Sequence, residues 1–412
     1  MGILQVLRSK NYRLFFAGQT FSNLGNMMKQ VALGWLVYRT TDSAFLLGLV
    51  SFSREISAFI FSMFAGVIAD RYNKHRLLIL CQLLVTLNAF ALAYFTLSEQ
   101  VTIPVLIILQ IFFGFINSLE MPSRQSFVND LVEDKANLGN AIALNSSLFN
   151  TARIVGPAIA GILIPFFGEG YCFLLYAVMS LFVVITFQFI DYQSPSKPKT
   201  QLNFKSEIME GVIYAYRTKN ILFTLLFVAG ITLFGLAYIV ILPVFAADIF
   251  DSGPMVFGYM NSAIGVGSLL GAGYIVARNM VSGLDMIIFS GALIFGFGLA
   301  IFSLSEVLWI SLIALMATGF GRVMIFAGSN TFIQIIVPEK KRGRVLSLYI
   351  MLFMGALALG SFLIGILSEL TNASTTLFGS SICVIVLAII FGKNLPAFRK
   401  RTYRILKQNG TI

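Results

Sequence analysis

Apolar runs long enough to cross a bilayer, about 20 residues each, recur along nearly the whole chain with short polar breaks between them. Inside lipid every backbone N–H and C=O must find an internal partner, so such runs form helices. A closed barrel would instead need segments of about 10 residues with alternating polarity, which the chain lacks. The breaks place spans at about 13–38, 44–69, 77–97, 103–118 and 139–165, with a sixth ending near Ile190. Hydropathy then collapses over residues 191–220. This stretch opens on the turn-rich DYQSPSKPKT and continues as QLNFKSEIMEGVIYAYRTKN, whose spacing predicts an amphipathic helix on the membrane face. Six more spans follow at about 221–247, 254–277, 286–303, 307–335, 344–367 and 374–392, and a basic tail occupies 393–412. The pattern predicts an all-α polytopic membrane protein with twelve transmembrane helices, the linker 191–220 dividing segment 1–190 from segment 221–392.

Polar residues that interrupt these runs are costly in lipid and should face a bundle interior or a wet cavity. In span 1, Gln19, Asn23, Asn26 and Gln30 repeat at helical spacing on one face, with Lys29 close to it. Span 2 carries Arg54 and Glu55 near its middle. Neighbours in sequence do not face each other on a helix, and Lys29 and Glu55 match in depth on antiparallel spans, so a Lys29–Glu55 bridge is expected. Glu55 is the one acidic residue this scheme places near mid-membrane. Span 5 puts Ser146, Asn150 and Arg153 on one face; Arg322 and Asn330 fall in span 10. Asn26, Lys29, Arg54, Glu55, Asn150, Arg153, Arg322 and Asn330 are therefore the candidate cavity residues. Four cations against one anion favour an anionic or oxygen-rich cargo, since a guanidinium suits carboxylate and catecholate oxygens.

The chain also repeats itself. A shift of 204 residues brings Gly139, Leu144, Phe149, Gly156 and Gly161 onto Gly343, Leu348, Phe353, Gly360 and Gly365, and Ile162-Leu163 onto Ile366-Leu367. GVIADR at 66–71 has an eroded partner, GYIVAR at 273–278, in which Ala277 replaces Asp70. A repeat of this length predicts two pseudo-symmetric six-helix bundles.

Composition adds limits. Of 412 residues, 58% are hydrophobic and 11% charged, too few charges for a large soluble domain. The net charge of +11 reflects topology rather than nucleic-acid binding. Among the 29 Lys and Arg, all but Arg39, Lys29, Arg54, Arg153 and Arg322 fall on one face of a twelve-span scheme with both ends inside. Some of these cations would meet anionic lipid. Cys81, Cys172 and Cys383 lie in apolar segments without paired spacing and imply neither a disulfide nor a metal. The first span is too long and polar for a cleavable signal. His75, the sole histidine, sits in a basic loop and reads as an inside cation, and no Walker-type glycine loop is present.

The stretch GVIADRYNKHR, with Gly66, the Asp70-Arg71 pair, Lys74 and Arg76, resembles the loop signature of the major facilitator superfamily. RIVGPAIAG, with Gly156, Pro157 and Gly161, resembles the Gly-Pro motif of span 5 in its antiporters; small residues there permit close packing and proline bends the span. SRQSFVNDLV, LGNAIALNSSLFNTARIVGPAIAG and VPEKKRGRVLSLY resemble the drug:proton antiporter-like exporter subgroup that includes the enterobactin exporter. Two positions depart from the pattern. Gln110 stands four residues before Gly114, where many drug–proton antiporters have arginine, and Asn73 replaces the loop glycine, an exchange that a left-handed turn tolerates.

The resemblance implies the facilitator fold and a 66–76 loop that latches the halves on the cytoplasmic side. It also implies a bacterial inner-membrane protein with both termini cytoplasmic, working as a monomer. The activity implied is secondary active transport, with proton-coupled export of a small molecule, siderophore-like or a drug. The cation excess makes that molecule amphiphilic or anionic, and Glu55, with His75 outside the membrane centre, is the candidate proton carrier or else a structural partner of Lys29. No enzyme chemistry, cofactor, metal or nucleic-acid partner is expected. Uptake of a similar organic anion is the alternative. A lipid-handling or sensory membrane protein is a third reading, and a sensor should carry a soluble output domain that this chain lacks.

Overall fold

The computed structural model describes residues 3–132, 137–192, 204–278 and 283–408, with the side chains at 3–5, 63, 66, 67, 69–71, 204–208, 340 and 403–408 excepted. The gating-loop assignments of Gly66, Asp70 and Arg71 therefore fall outside the described side chains. Among the described residues the chain is helical and holds no strand.

Helices α1 (Lys10–Thr41), α2 (Ala44–Arg71) and α3 (Lys74–Leu97) begin at Ser9, Ser43 and Asn73, whose side-chain oxygens accept from the backbone N–H of Tyr12, Leu46 and Arg76. Asn73 is in an extended conformation, φ −63°, ψ 115°, so it acts as a helix cap and not as the left-handed turn residue expected of it. Then come α4 (Ile103–Leu131), α5 (Leu138–Phe167), α6 (Glu169–Gln188) and α7 (Phe204–Arg217). α8 (Lys219–Phe234) breaks at Gly235 and continues as a 3₁₀ segment (Leu236–Ile241), the short α9 (Leu242–Val244) and a π turn (Phe245–Ile249). The chain ends with α10 (Pro254–Ala277), α11 (Leu284–Leu304), α12 (Leu308–Ile336), α13 (Glu339–Leu370) and α14 (Ala373–Gln408).

Eleven of the described helical segments are long and apolar enough to cross a membrane. α1 is absent from that set because its polar stripe dilutes a helix that is otherwise long enough. Two helices outrun the hydropathy boundaries. α4 passes beyond Ser118 through Pro122 to Leu131, and α14 passes through Pro396 into the basic tail. Hydropathy measures only the lipid-length part of a helix, whereas backbone hydrogen bonding continues into polar sequence.

The chain separates into two compact units, residues 1–200 with 246–262, and residues 201–245 with 263–412, the boundary passing through α10. In the first unit α2 packs on α4, and α1 packs on α5 and α6. One end is filled by Tyr12, Phe15, Phe127 and Phe187. His75 belongs to this cluster: its ring stacks on Phe127 at 5.7 Å and its Nε2 lies 2.7 Å from the Phe187 carbonyl oxygen. Lys74 pairs with Asp130 at 2.6 Å, and Tyr192 donates to the same carboxylate. Deeper in the unit, Phe113, Ile116, Val85 and Tyr176 form a second cluster. In the second unit Phe223, Phe227, Phe391 and Phe398 stack, while Tyr238 meets Phe295. There α7 lies against the start of α13: Glu210 is paired with Arg344, and Lys341 sits 4.6 Å from the Tyr214 ring. Its other face, Met209, Val212, Ile213 and Tyr216, is exposed at helical spacing.

The repeat has a structural counterpart inside each unit. A Cβ on Gly114 of α4 would lie 2.3 Å from the Arg54 carbonyl oxygen and 3.1 Å from the Ala58 nitrogen of α2. A Cβ on Gly319 of α12 would lie 2.2 Å from the Ile264 carbonyl oxygen and 3.1 Å from the Ser268 nitrogen of α10. Both crossings bring backbone against backbone four residues apart, which only a missing side chain permits. A Cβ on Gly156 would lie 2.6 Å from Met27 Cβ and 3.1 Å from the Leu24 carbonyl oxygen of α1, and one on Gly161 would lie 3.1 Å from the Pro254 carbonyl oxygen of α10. Gly114→Ala should therefore cost about 1–3 kcal/mol through overpacking against backbone that cannot move aside. Thermal melts of the solubilised protein should show a clear loss, whereas Gly139→Ala, with nothing within 4 Å of the new methyl, should melt like the parent.

Candidate functional site

The polar face of α1 turns into the first unit. Gln19 is buried, and the Asn26 Oδ1 is buried without a hydrogen-bond partner. Lys29 is fully buried, its Nζ has no hydrogen-bond partner, and it sits 3.1 Å from the Phe113 ring centroid and 5.7 Å from that of Tyr176. The ring faces offer the amine a favourable electrostatic contact. Gln110 is buried nearby on α4, one turn before Phe113, with both amide atoms unpartnered.

The expected Lys29–Glu55 bridge does not form. Glu55 is held by Arg54, whose Nε donates to its Oε1 at 2.9 Å, while Lys29 reaches toward α4 and α6. Matching depth on two antiparallel helices fixes height but not direction, because each residue turns a helix by about 100°. The side chain of Arg54 is also long enough to fold back on its neighbour.

Residues at one end of α1, α4 and α5 enclose a cavity of about 540 Å³. Gln19 and Asn23 reach it from α1, Arg124 from α4, and Asn145, Ser146 and Asn150 from α5, with Phe15 and Phe149 as apolar walls. Arg124 is poised by a short chain of contacts: its Nη1 donates to Gln19 Oε1 at 3.0 Å and to Glu120 Oε1 at 3.4 Å, and Gln82 Nε2 donates to the same Glu120 oxygen at 3.1 Å. Glu120 is buried and belongs to α4, in its C-terminal half. Among the described residues no acidic side chain lines the cavity itself. Guanidinium and amide donors with hydroxyl and amide acceptors can hold a small molecule rich in oxygen.

Of the predicted cavity residues, Asn150 is the one among the described lining residues of this cavity. Asn150 lines it and donates to the Ser146 carbonyl at 2.9 Å. Arg153, one turn further along α5, lies with its guanidinium carbon 4.7 Å from the Phe149 ring. In the second unit Arg322 donates to Ser268 Oγ at 3.3 Å, and Asn330 accepts from Gln334. The residues missed were Arg124, Asn145 and the far end of α4. Their signal was present: Ile142, Asn145, Ser146, Phe149 and Asn150 share one helical face, and Arg124 continues the helix that hydropathy cut short.

A family model for transmembrane secretion effectors, one of the major facilitator models, matches residues 2–405. The chain belongs to this family of membrane transporters, which are not enzymes. It is 27% identical over 386 residues to the staphyloferrin A transporter of Staphylococcus aureus, covering 92% of this chain and 95% of the relative. It is 22% identical over 398 residues to the enterobactin exporter of Citrobacter koseri, covering 94% and 93%. Among solved structures, a bacterial homologue of the human lysosomal transporter Spinster, inward-facing and unoccupied, matches with a TM-score of 0.76 at 12% identity, covering 95% of this chain and 98% of that one. That last likeness speaks to the fold alone.

Lys29 is fully buried and, among the described residues, its amine has no hydrogen-bond partner. Lys29→Met keeps its bulk and removes an amine with no hydrogen-bond partner, and should raise the melting temperature of the solubilised protein by a few degrees, about 1–3 kcal/mol. A fall of that size would mean the amine contributes net stability.

Proposed function

We propose that the protein is a proton-coupled secondary transporter that exports a small, oxygen-rich, anionic or amphiphilic molecule of siderophore type by alternating access. In this reading α1 is the first of twelve spans in two six-helix halves, and α7 lies in a cytoplasmic linker. Both termini face the cytoplasm of a bacterial inner membrane, and the monomer is the working unit. The observation that carries it is the cavity walled by α1, α4 and α5. A polar hollow between membrane-length helices marks a cargo route, because polar side chains at that depth are otherwise disfavoured. The one-sided distribution of Lys and Arg supports the orientation, which sets the cavity at the cytoplasmic end, where an exporter loads.

The names of the two relatives, a staphyloferrin A transporter and an enterobactin exporter, support a siderophore-like cargo, and the second supports export. Lys74, Arg76 and the Asp70-Arg71 pair act as the cytoplasmic latch, with Lys74 tied to Asp130 at the end of α4. In this reading Arg54, Glu55 and Arg153 in the first unit, and Arg322 and Asn330 in the second, are polar groups the cargo meets during the cycle, and Glu55 is the coupling carboxylate.

Everted vesicles with an imposed pH gradient test this. The account expects accumulation of an oxygen-rich, anionic siderophore that collapses when the gradient is abolished, and accumulation in Glu55→Gln that no longer responds to it. Unaltered proton dependence in Glu55→Gln removes that residue from coupling. Depletion from everted vesicles under the same gradient would reverse the direction to uptake.

A further inference from the structure

Glu120 and Arg124 lie one turn apart on α4, in the order that favours an ion pair along a helix. Their separation of 3.4 Å is nonetheless loose beside the 2.7–2.9 Å common for charge-assisted bonds. The two partners differ in setting. Glu120 is buried, its side chain 10% exposed, and faces inward to Gln82 of α3; Arg124 is 29% exposed and lines the cavity. Among the described residues the guanidinium bonds Gln19 and Glu120, both through Nη1, so Nη2 and Nε are the donors an incoming carboxylate would engage. The local network is also incompletely satisfied, because Gln82 Oε1 is buried and has no partner.

We infer that Arg124 is the carboxylate receptor of the cavity and that Glu120 is its built-in competitor, a placeholder that holds the guanidinium in the empty state and yields it to a hydroxycarboxylate cargo. A bidentate contact from a cargo carboxylate replaces a long, single-edge contact with a better-shaped one. The amides of Gln19, Asn23, Asn145 and Asn150 then have both donors and acceptors for further carboxylate and hydroxyl oxygens, which favours an acid carrying several oxygen groups over a simple monocarboxylate. Among the described residues the wall offers a polycation no carboxylate, which disfavours it beside the Arg124 cation. The inference rests on the cavity being the cargo site of the transporter proposed above, and it names the chemistry of that site.

Citrate, the probe, can be titrated into the full-length protein in detergent or nanodiscs by calorimetry, without any gradient, so that binding is read separately from transport. Citrate should bind the parent, and spermidine should not. Arg124→Gln should weaken citrate at least tenfold, with Arg124→Lys recovering part of the loss as a point charge without the fork. Glu120→Gln should bind citrate several-fold more tightly, because the competing charge is gone while its shape remains. In the double variant the gain should vanish, since Glu120 acts only through Arg124. Parent-like melting curves distinguish these effects from misfolding.

Undiminished binding in Arg124→Gln would overturn the assignment, as would absence of citrate binding in both the parent and Glu120→Gln. Weaker binding in Glu120→Gln would show that the carboxylate positions the guanidinium and does not compete for it. Citrate binding with this pattern in a protein that fails the vesicle assay would retain the site and reject the transport reading.

Discussion

A guanidinium among membrane-length helices must be both solvated and neutralised, and the first unit does both for Arg124 at little structural cost. Solvation comes from the cavity that it lines, and neutralisation from Glu120 one turn back on the same helix. Because both charges sit on α4, the pair needs no particular arrangement of other helices to survive. The loose 3.4 Å contact keeps the cation available, where a tight bidentate pair would have locked it. The chemistry of the site follows from this imbalance between a buried acid and a partly exposed base.

Close helix crossings build the frame that holds these groups. Gly114 and Gly319 let backbone meet backbone in the two units, and in each case the partner helix contributes residues four apart. In the first unit that crossing anchors α4 on α2 at Arg54 and Ala58. Tyr12, Phe15, Phe127 and Phe187 fill the adjoining end, with the His75 ring stacked among them, and Gln19 holds the guanidinium of Arg124. Aromatic packing and the polar site thus share helices: α1 supplies Phe15 and Gln19, and α4 supplies Phe127 and Arg124.

Much of this was legible in the residues alone. Span positions followed from the length of apolar runs, and the stripe on α1 and the face of α5 followed from helical spacing. Azimuth between helices did not. Lys29 and Glu55 share a depth, yet Lys29 lies on aromatic rings of α4 and α6 while Glu55 takes Arg54. Hydropathy also ends a span where polarity begins, so it stops the fourth span at about Ser118, whereas α4 carries Glu120 and Arg124 on to Leu131. Asn73 shows a similar ambiguity at small scale, since asparagine serves both left-handed turns and helix caps and only the backbone distinguishes them.

The central claim, that α1, α4 and α5 enclose a water-filled polar site that receives anionic cargo, is tested most directly by thiol accessibility. In a background with Cys81, Cys172 and Cys383 replaced by serine, Asn150→Cys faces the cavity, whereas Val155→Cys sits on an exposed apolar face of the same helix. A charged, membrane-impermeant maleimide should label Asn150→Cys in everted vesicles, slow down when citrate is present, and leave Val155→Cys unlabelled. An unreactive Asn150→Cys, or labelling indifferent to citrate, would contradict the account.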